Sequence, residues 1–179
     1  MKKALLIFAF LFLTACVLPA FDNTALQLSL WAPKAQLVPP EISISGLKLN
    51  LPYGSNAQVT GIDLGFVSIA NEQGSDLEAR VAALQVNLFN KTSGSFAGLQ
   101  VGLVNLSDTS AGIMVGLVNS ASSQVSGIEV GLVNTSLEFH GIEIGIVNYT
   151  EFLQGLQIGL INIATKSTVP FFPIINFCF

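Results

Sequence analysis

The octet GIEVGLVN (Gly127–Asn134) returns fourteen positions later as GIEIGIVN (Gly141–Asn148). Related octets are GLQVGLVN from Gly98, GIMVGLVN from Gly112 and GLQIGLIN from Gly155, so successive copies start 14, 15, 14 and 14 residues apart. Weaker copies lie upstream: ALQLSLWA from Ala25, GLKLNLPY from Gly46, GIDLGFVS from Gly61 and ALQVNLFN from Ala83. VPFFPIIN from Val169 reads as a degraded last copy. A fixed period of this size marks a repeat architecture, in which each unit buries its face against its neighbours.

Each octet alternates. Leu99, Val101 and Leu103 share one face, and Gln100, Gly102 and Val104 share the other, which is the period of a strand. No helical stripe follows the leader, so the fold class is all-β. Two arrangements compete: a parallel β-solenoid with coils of 14–15 residues, and an antiparallel up-and-down meander or small β-barrel. Eight extended residues span about 26 Å, too far for the remaining six or seven to return unless the strand bends. Bends at Gly102, Gly116, Gly131, Gly145 and Gly159 turn each coil into a narrow three-sided loop. The connecting stretches carry no Asn-Gly, Asp-Gly or Pro-Gly pair of the kind that makes tight hairpins. Val125, Phe139 and Leu153, two places before the next glycine, fit a core on the third side. Asn105, Asn119, Asn134, Asn148 and Asn162 share one slot, and parallel stacking would join their amides in a ladder. These features favour the solenoid. The ending PIINFCF alternates Ile175, Phe177 and Phe179 as barrel assembly signals do, which favours the alternative.

The repeats divide the chain. Residues 98–162 hold the regular copies, 25–97 and 163–179 the irregular capping ones, and all of 25–179 forms a single β-repeat domain. Trp31, Tyr53 and Phe171 cluster near its ends, where caps would close an open core. Ahead of it, MKKALLIFAFLFLTAC sets two lysines before an apolar run from Ala4 to Leu13, too short for a spanning helix. Leu13-Thr14-Ala15-Cys16 resembles the lipobox of bacterial lipoproteins. That resemblance implies a signal peptide over 1–15, lipidation of Cys16 and a tether over 16–24. Val17 in place of aspartate is compatible with sorting to the outer membrane. Two or three acyl chains anchor a protein stably without any spanning helix. With Cys16 lipidated, Cys178 has no disulfide partner and reads as a small apolar strand residue.

Charge narrows the function classes. Without the leader, five basic residues face eleven acidic ones, a net charge of −6 that repels nucleic acid. His140 is the only histidine, which excludes a histidine triad or a multi-histidine metal site within one chain. Glu129 and Glu143 occupy equivalent slots and would stack ~4.8 Å apart, each raising the other's pKa. Gln100, Met114 and Gln157 in the same slot point instead to a solvated outer face. No catalytic, cofactor or metal residue is assigned. The glycines and asparagines of the octets are structural: Gly98, Gly102 and Asn105; Gly112, Gly116 and Asn119; Gly127, Gly131 and Asn134; Gly141, Gly145 and Asn148; Gly155, Gly159 and Asn162. The sequons at Asn90, Asn105, Asn134 and Asn148 are repeat asparagines beside polar turns.

Taken together, the lipobox leader, the octets from Gly98 to Asn162, GLKLNLPYG, GIDLGFVS and the ending PIINF resemble a bacterial family of surface repeat lipoproteins, known from spirochaetes and related groups. The resemblance implies an envelope location and transfers no catalytic residue. The expectation is a membrane-anchored, non-enzymatic envelope protein with a structural or adhesive role. It would meet the membrane through Cys16 and take a protein or polysaccharide partner. The rival expectation is a barrel-like carrier of a hydrophobic ligand, or an outer-membrane pore.

Overall fold

The computed structural model describes residues 23–71 and 79–179. These build an all-β solenoid of about 8 turns, with stacked parallel coils of about 15 residues. Cys16 lies outside the described residues.

The early coils are carried by long strands, β1 (Asn23–Trp31), β3 (Ser43–Ser55), β4 (Gln58–Ala70), β5 (Ala79–Val101) and β6 (Val104–Val115), with the short β2 (Ala35–Gln36) after β1. From β6 onward each coil divides at its corner. One set comprises β8 (Gln124–Val130), β10 (Glu138–Ile144) and β12 (Phe152–Gly159). The other comprises β7 (Val118–Ala121), β9 (Val133–Thr135), β11 (Val147–Thr150) and β13 (Ile161–Ala164). Neighbours within each set pair in parallel and in register, so Gly127 lies opposite Gly112 and Gly141, and Asn134 opposite Asn119 and Asn148. A meander or barrel joined by hairpins would pair its strands antiparallel. The parallel register overturns that alternative, and the terminal PIINFCF is not a barrel strand. Its β14 (Ile174–Cys178) folds back antiparallel on β12.

That return closes the last coil. Besides β14, Ala164 N donates to Pro170 O and Phe172 N to Asn162 O, so the edge of β13 is also covered. At the first coil, β2 lies antiparallel on β1. Gln27 extends this cap, accepting from Val38 N and donating to Val38 O. Solenoid ends are open sheet edges, and covering them limits end-to-end pairing.

The third side is not a separate strand. Val125, Phe139 and Leu153 lie in the same continuous strands as the glycines that follow them, and pack with Met114, Ala121 and Ala164 in one buried cluster. A second cluster around Ile44, Val59, Val81 and Phe96 fills the earlier coils.

The two faces of the octet are reversed from the solvated-face expectation. Gln100, Met114, Glu129, Glu143 and Gln157 are all buried, whereas Ile128, Val130 and Leu132 are exposed. Alternation separates two faces without saying which is inside, and choosing the other face inverts every residue.

The two glycine slots answer to different constraints. Gly127 has φ +140, and a Cβ there would overlap the carbonyl of Gly112 on the coil before it. Gly131 opens the bend between β8 and β9, and a Cβ there would lie 2.7 Å from Asn134 Oδ1 and 2.8 Å from Asn119 Nδ2. Gly127→Val and Gly131→Val should each lose more than ~2 kcal/mol, in the range of severe core and backbone lesions, although valine is the better strand former. Ile128→Val, on the exposed face between them, should stay within about 0.5 kcal/mol. Thermal melts of the three variants check this; glycine variants that melt with the control would remove both constraints.

Candidate functional site: a polar seam inside the coils

The asparagine slot forms a continuous chain of side-chain amides. Asn90 Nδ2 donates to Asn105 Oδ1 at 2.9 Å, and Asn105, Asn119, Asn134 and Asn148 each donate to the next asparagine at 2.8 Å, ending on Asn162. All six are fully buried. The same Nδ2 atoms donate a second bond to the residue ahead of the next corner glycine: Asn105 to Val115 O, Asn119 to Val130 O and Asn134 to Ile144 O. Asn162 turns its amide to Phe172 O in the closing segment. From Asn90 to Asn148 each amide therefore donates once along the ladder and once to the neighbouring coil's corner, while Asn162 donates to Gly159 O and Phe172 O. The glycine at that corner leaves the room in which the amides meet.

A second column rises from the third residue of each octet. Its order is Gln27, Lys48, Asp63, Gln85, Gln100, Met114, Glu129, Glu143, Gln157, with Asn176 of β14 last, and all are buried. Lys48 Nζ stands 3.6 Å from Asp63 Oδ2 with both side chains at zero exposure. Ser68 Oγ links them, accepting from Lys48 at 2.9 Å and donating to Asp63 at 2.6 Å. Gln85 and Asn50 donate to the same carboxylate. Burial pulls the Lys48 ammonium below its ordinary pKa, against the opposing pull of Asp63. Removing one member of such a pair strands the other charge, which is the costly direction. Lys48 and Asp63 were not singled out in the sequence. Their signal was there: opposite charges in the same octet slot of adjacent copies, GLK and GID.

Met114 interrupts the column, because a thioether donates no hydrogen. On either side of it Gln100 Oε1 and both Glu129 oxygens lack a partner. Glu143 Oε1 also has none, while Glu143 Oε2 accepts from Gln157 Nε2 at 2.7 Å. Glu129 and Glu143 face each other across one strand spacing. Burial raises the Glu129 carboxyl well above its usual value, and the neighbouring Glu143 raises it further. Burial also lifts Glu143, to about 7, against the lowering influence of the Gln157 bond and of the neighbouring Glu129. Protonating either carboxyl removes the repulsion between the two.

Comparison with models of known families, with curated proteins and with solved structures gives no match to this chain. The site is therefore judged on its own chemistry. His140 lies half-exposed in β10, apart from the Glu129–Glu143 pair, and Cys178 is half-buried against the cluster of Phe139 and Leu153. Among the described residues no group of three or more His, Cys, Asp or Glu side chains gathers as metal ligands would. An open groove of about 340 Å³ lies between Arg80, Ser95, Phe96, Thr109, Gln124 and neighbouring residues. Among the described residues that line it, Arg80 alone is ionisable. What the seam can do chemically is hold protons and bond coils.

The raised carboxyls give a pH test with a definite sign. The folded chain binds protons more tightly than the unfolded one, whose carboxyls titrate near 4.5. This contribution to stability is complete below that value and is lost as pH rises through about 7. For Glu143 alone the span is worth on the order of 3 kcal/mol. Replacing both groups, Glu129→Gln with Glu143→Gln, should raise stability at pH 8 and change it little at pH 4. Melting temperatures of wild type and variant at the two pH values measure the difference; a variant less stable at pH 8 would contradict the buried pair.

Proposed function

We propose that the protein is a lipid-anchored component of the bacterial envelope, held at the outer membrane through Cys16, with a structural or interaction role rather than a catalytic one. The carrying observation is where the repeat spends its polar groups. The asparagine, glutamine, lysine and aspartate side chains of the octets bond one another inside the coils, and what recurs outside is a set of uniform rows. Repeat arrays present such extended surfaces to large partners, here a protein or a polysaccharide. The lipobox-like Leu13-Thr14-Ala15-Cys16 and the resemblance to surface repeat lipoproteins support the address. The barrel-like carrier or pore is not kept as a second reading, because its strands would run antiparallel.

Cys16→Ser removes the sole proposed lipid acceptor. Metabolic labelling with a palmitate analogue should mark the wild-type chain and leave the variant unlabelled, with the variant unprocessed or released from the membrane fraction. Equal label in both would place the acyl chains elsewhere or remove the anchor altogether.

A further inference from the structure

The exterior of the solenoid is divided around its circumference. Four outward slots, those of Leu99, Val101, Leu103 and Val104, hold aliphatic or aromatic residues in every described coil, from β1 to the β12–β13 coil, without one polar or charged exception. Leu103 is 49% exposed and its last equivalent, Leu160, 67%. The first two slots lie on one sheet face and the fourth on the next, so they meet at a ridge formed by the Leu103 row. At ~3.3 Å per residue and ~4.8 Å per coil the belt measures roughly 15–20 Å by 40 Å. That exceeds the few hundred Å² of contiguous apolar surface usual on a soluble monomer. The belt itself carries no charge: Asp108, Glu138, Glu151 and Lys166 lie away from it among serines and threonines, and Lys91 stands two residues beyond its last row, at the border.

We infer that this belt is the protein's membrane face, with the ridge embedded in the acyl region of the bilayer and the charged edge in water. The choice of lipid as occupant rests on the anchoring of Cys16 proposed above. Only residues 17–22 separate that cysteine from Asn23, and the seven steps between the two reach at most about 25 Å. The first coil is thereby confined to the membrane surface with an apolar belt exposed. The shape favours lipid over a second copy of the chain. A flat partner covers one of two faces that meet at a convex ridge, whereas acyl chains surround both. At the anchored end of the belt, Trp31 and Tyr53 pack edge to face with ring centres 6.3 Å apart. Such rings suit the headgroup level. The whole solenoid then lies on the bilayer as an amphipathic helix does, with the division between wet and apolar sides drawn around a coil of sheet.

The test uses the full chain, purified from membranes and reconstituted into vesicles of phosphatidylethanolamine and phosphatidylglycerol. In a Cys178→Ser background, an environment-sensitive fluorophore is placed at Leu132→Cys or Ile146→Cys on the ridge, several coils from the anchor. Control labels go at Ser122→Cys and Glu138→Cys on the polar edge. All four positions are at least partly exposed, so the fold should tolerate them. Lipids brominated in the acyl chains should quench the ridge labels at least twofold and leave the edge labels nearly unchanged. Ridge labels no more quenched than edge labels would overturn the inference, as would ridge labels shielded only by a neighbouring copy and insensitive to bromine. The intact mass of the same preparation reads the anchor separately. Acylated protein with an unquenched ridge sinks the membrane face alone, and unmodified Cys16 with a quenched ridge sinks the anchor alone.

Discussion

The corner at which one asparagine amide meets its neighbours is the constraint on which the rest of the structure depends. Every Asn134-type amide bonds the next asparagine and the carbonyl ahead of the next corner, so the side chain sets both the stacking register and the position of the bend. A Cβ at Gly131 would occupy that space. Glycine and asparagine, three residues apart in the octet, are thus one unit. The first glycine adds an independent requirement, since at Gly127 the backbone of the preceding coil comes too close for any side chain. Buried amides of this kind stabilise only when fully paired, because an orphaned one costs about 1–3 kcal/mol. The ladder meets that condition to its end, where Phe172 O takes the last amide.

With the polar seam inside, the alternating strand sends its aliphatic residues outward. The usual arrangement of a soluble domain is therefore inverted over much of the circumference, and only the two buried clusters around Phe96 and Phe139 form a conventional apolar core. The charged members of the seam follow the same logic. Lys48 and Asp63 lie in adjacent coils and satisfy each other through Ser68. Glu129 and Glu143 have no such partner of opposite charge, and burial raises both carboxyls above their ordinary pKa. This apolar exterior is the observation from which we infer a membrane face.

Much of the fold was legible in the octets. The nearly constant spacing, the shared asparagine slot and the absence of hairpin turns together point to stacked parallel coils, with Val125, Phe139 and Leu153 in the core. The direction of the octet was not legible from alternation. The slot of Gln100, Glu129 and Glu143 was assigned to solvent because its residues are polar, a sound rule for a sheet with one wet face. Parallel stacking defeats that rule, since each polar side chain finds its copy one coil away as a partner. Asn90 is legible as a repeat asparagine, whereas Lys48 and Asp63 are hidden because their copies depart from the consensus, although the charge reversal between GLK and GID lies in plain view.

The side-chain amide protons of Asn119, Asn134 and Asn148 report on the ladder directly. In a chain labelled with nitrogen-15, their exchange with deuterated solvent should be slow, protected to a degree approaching that of the backbone amides of β8 and β10. Asn23, whose exposed amide at the start of β1 donates only to Ser45 Oγ, should exchange far faster. Rapid exchange of all three ladder amides, in a protein whose strand amides stay protected, would contradict the buried seam and the inverted exterior built upon it.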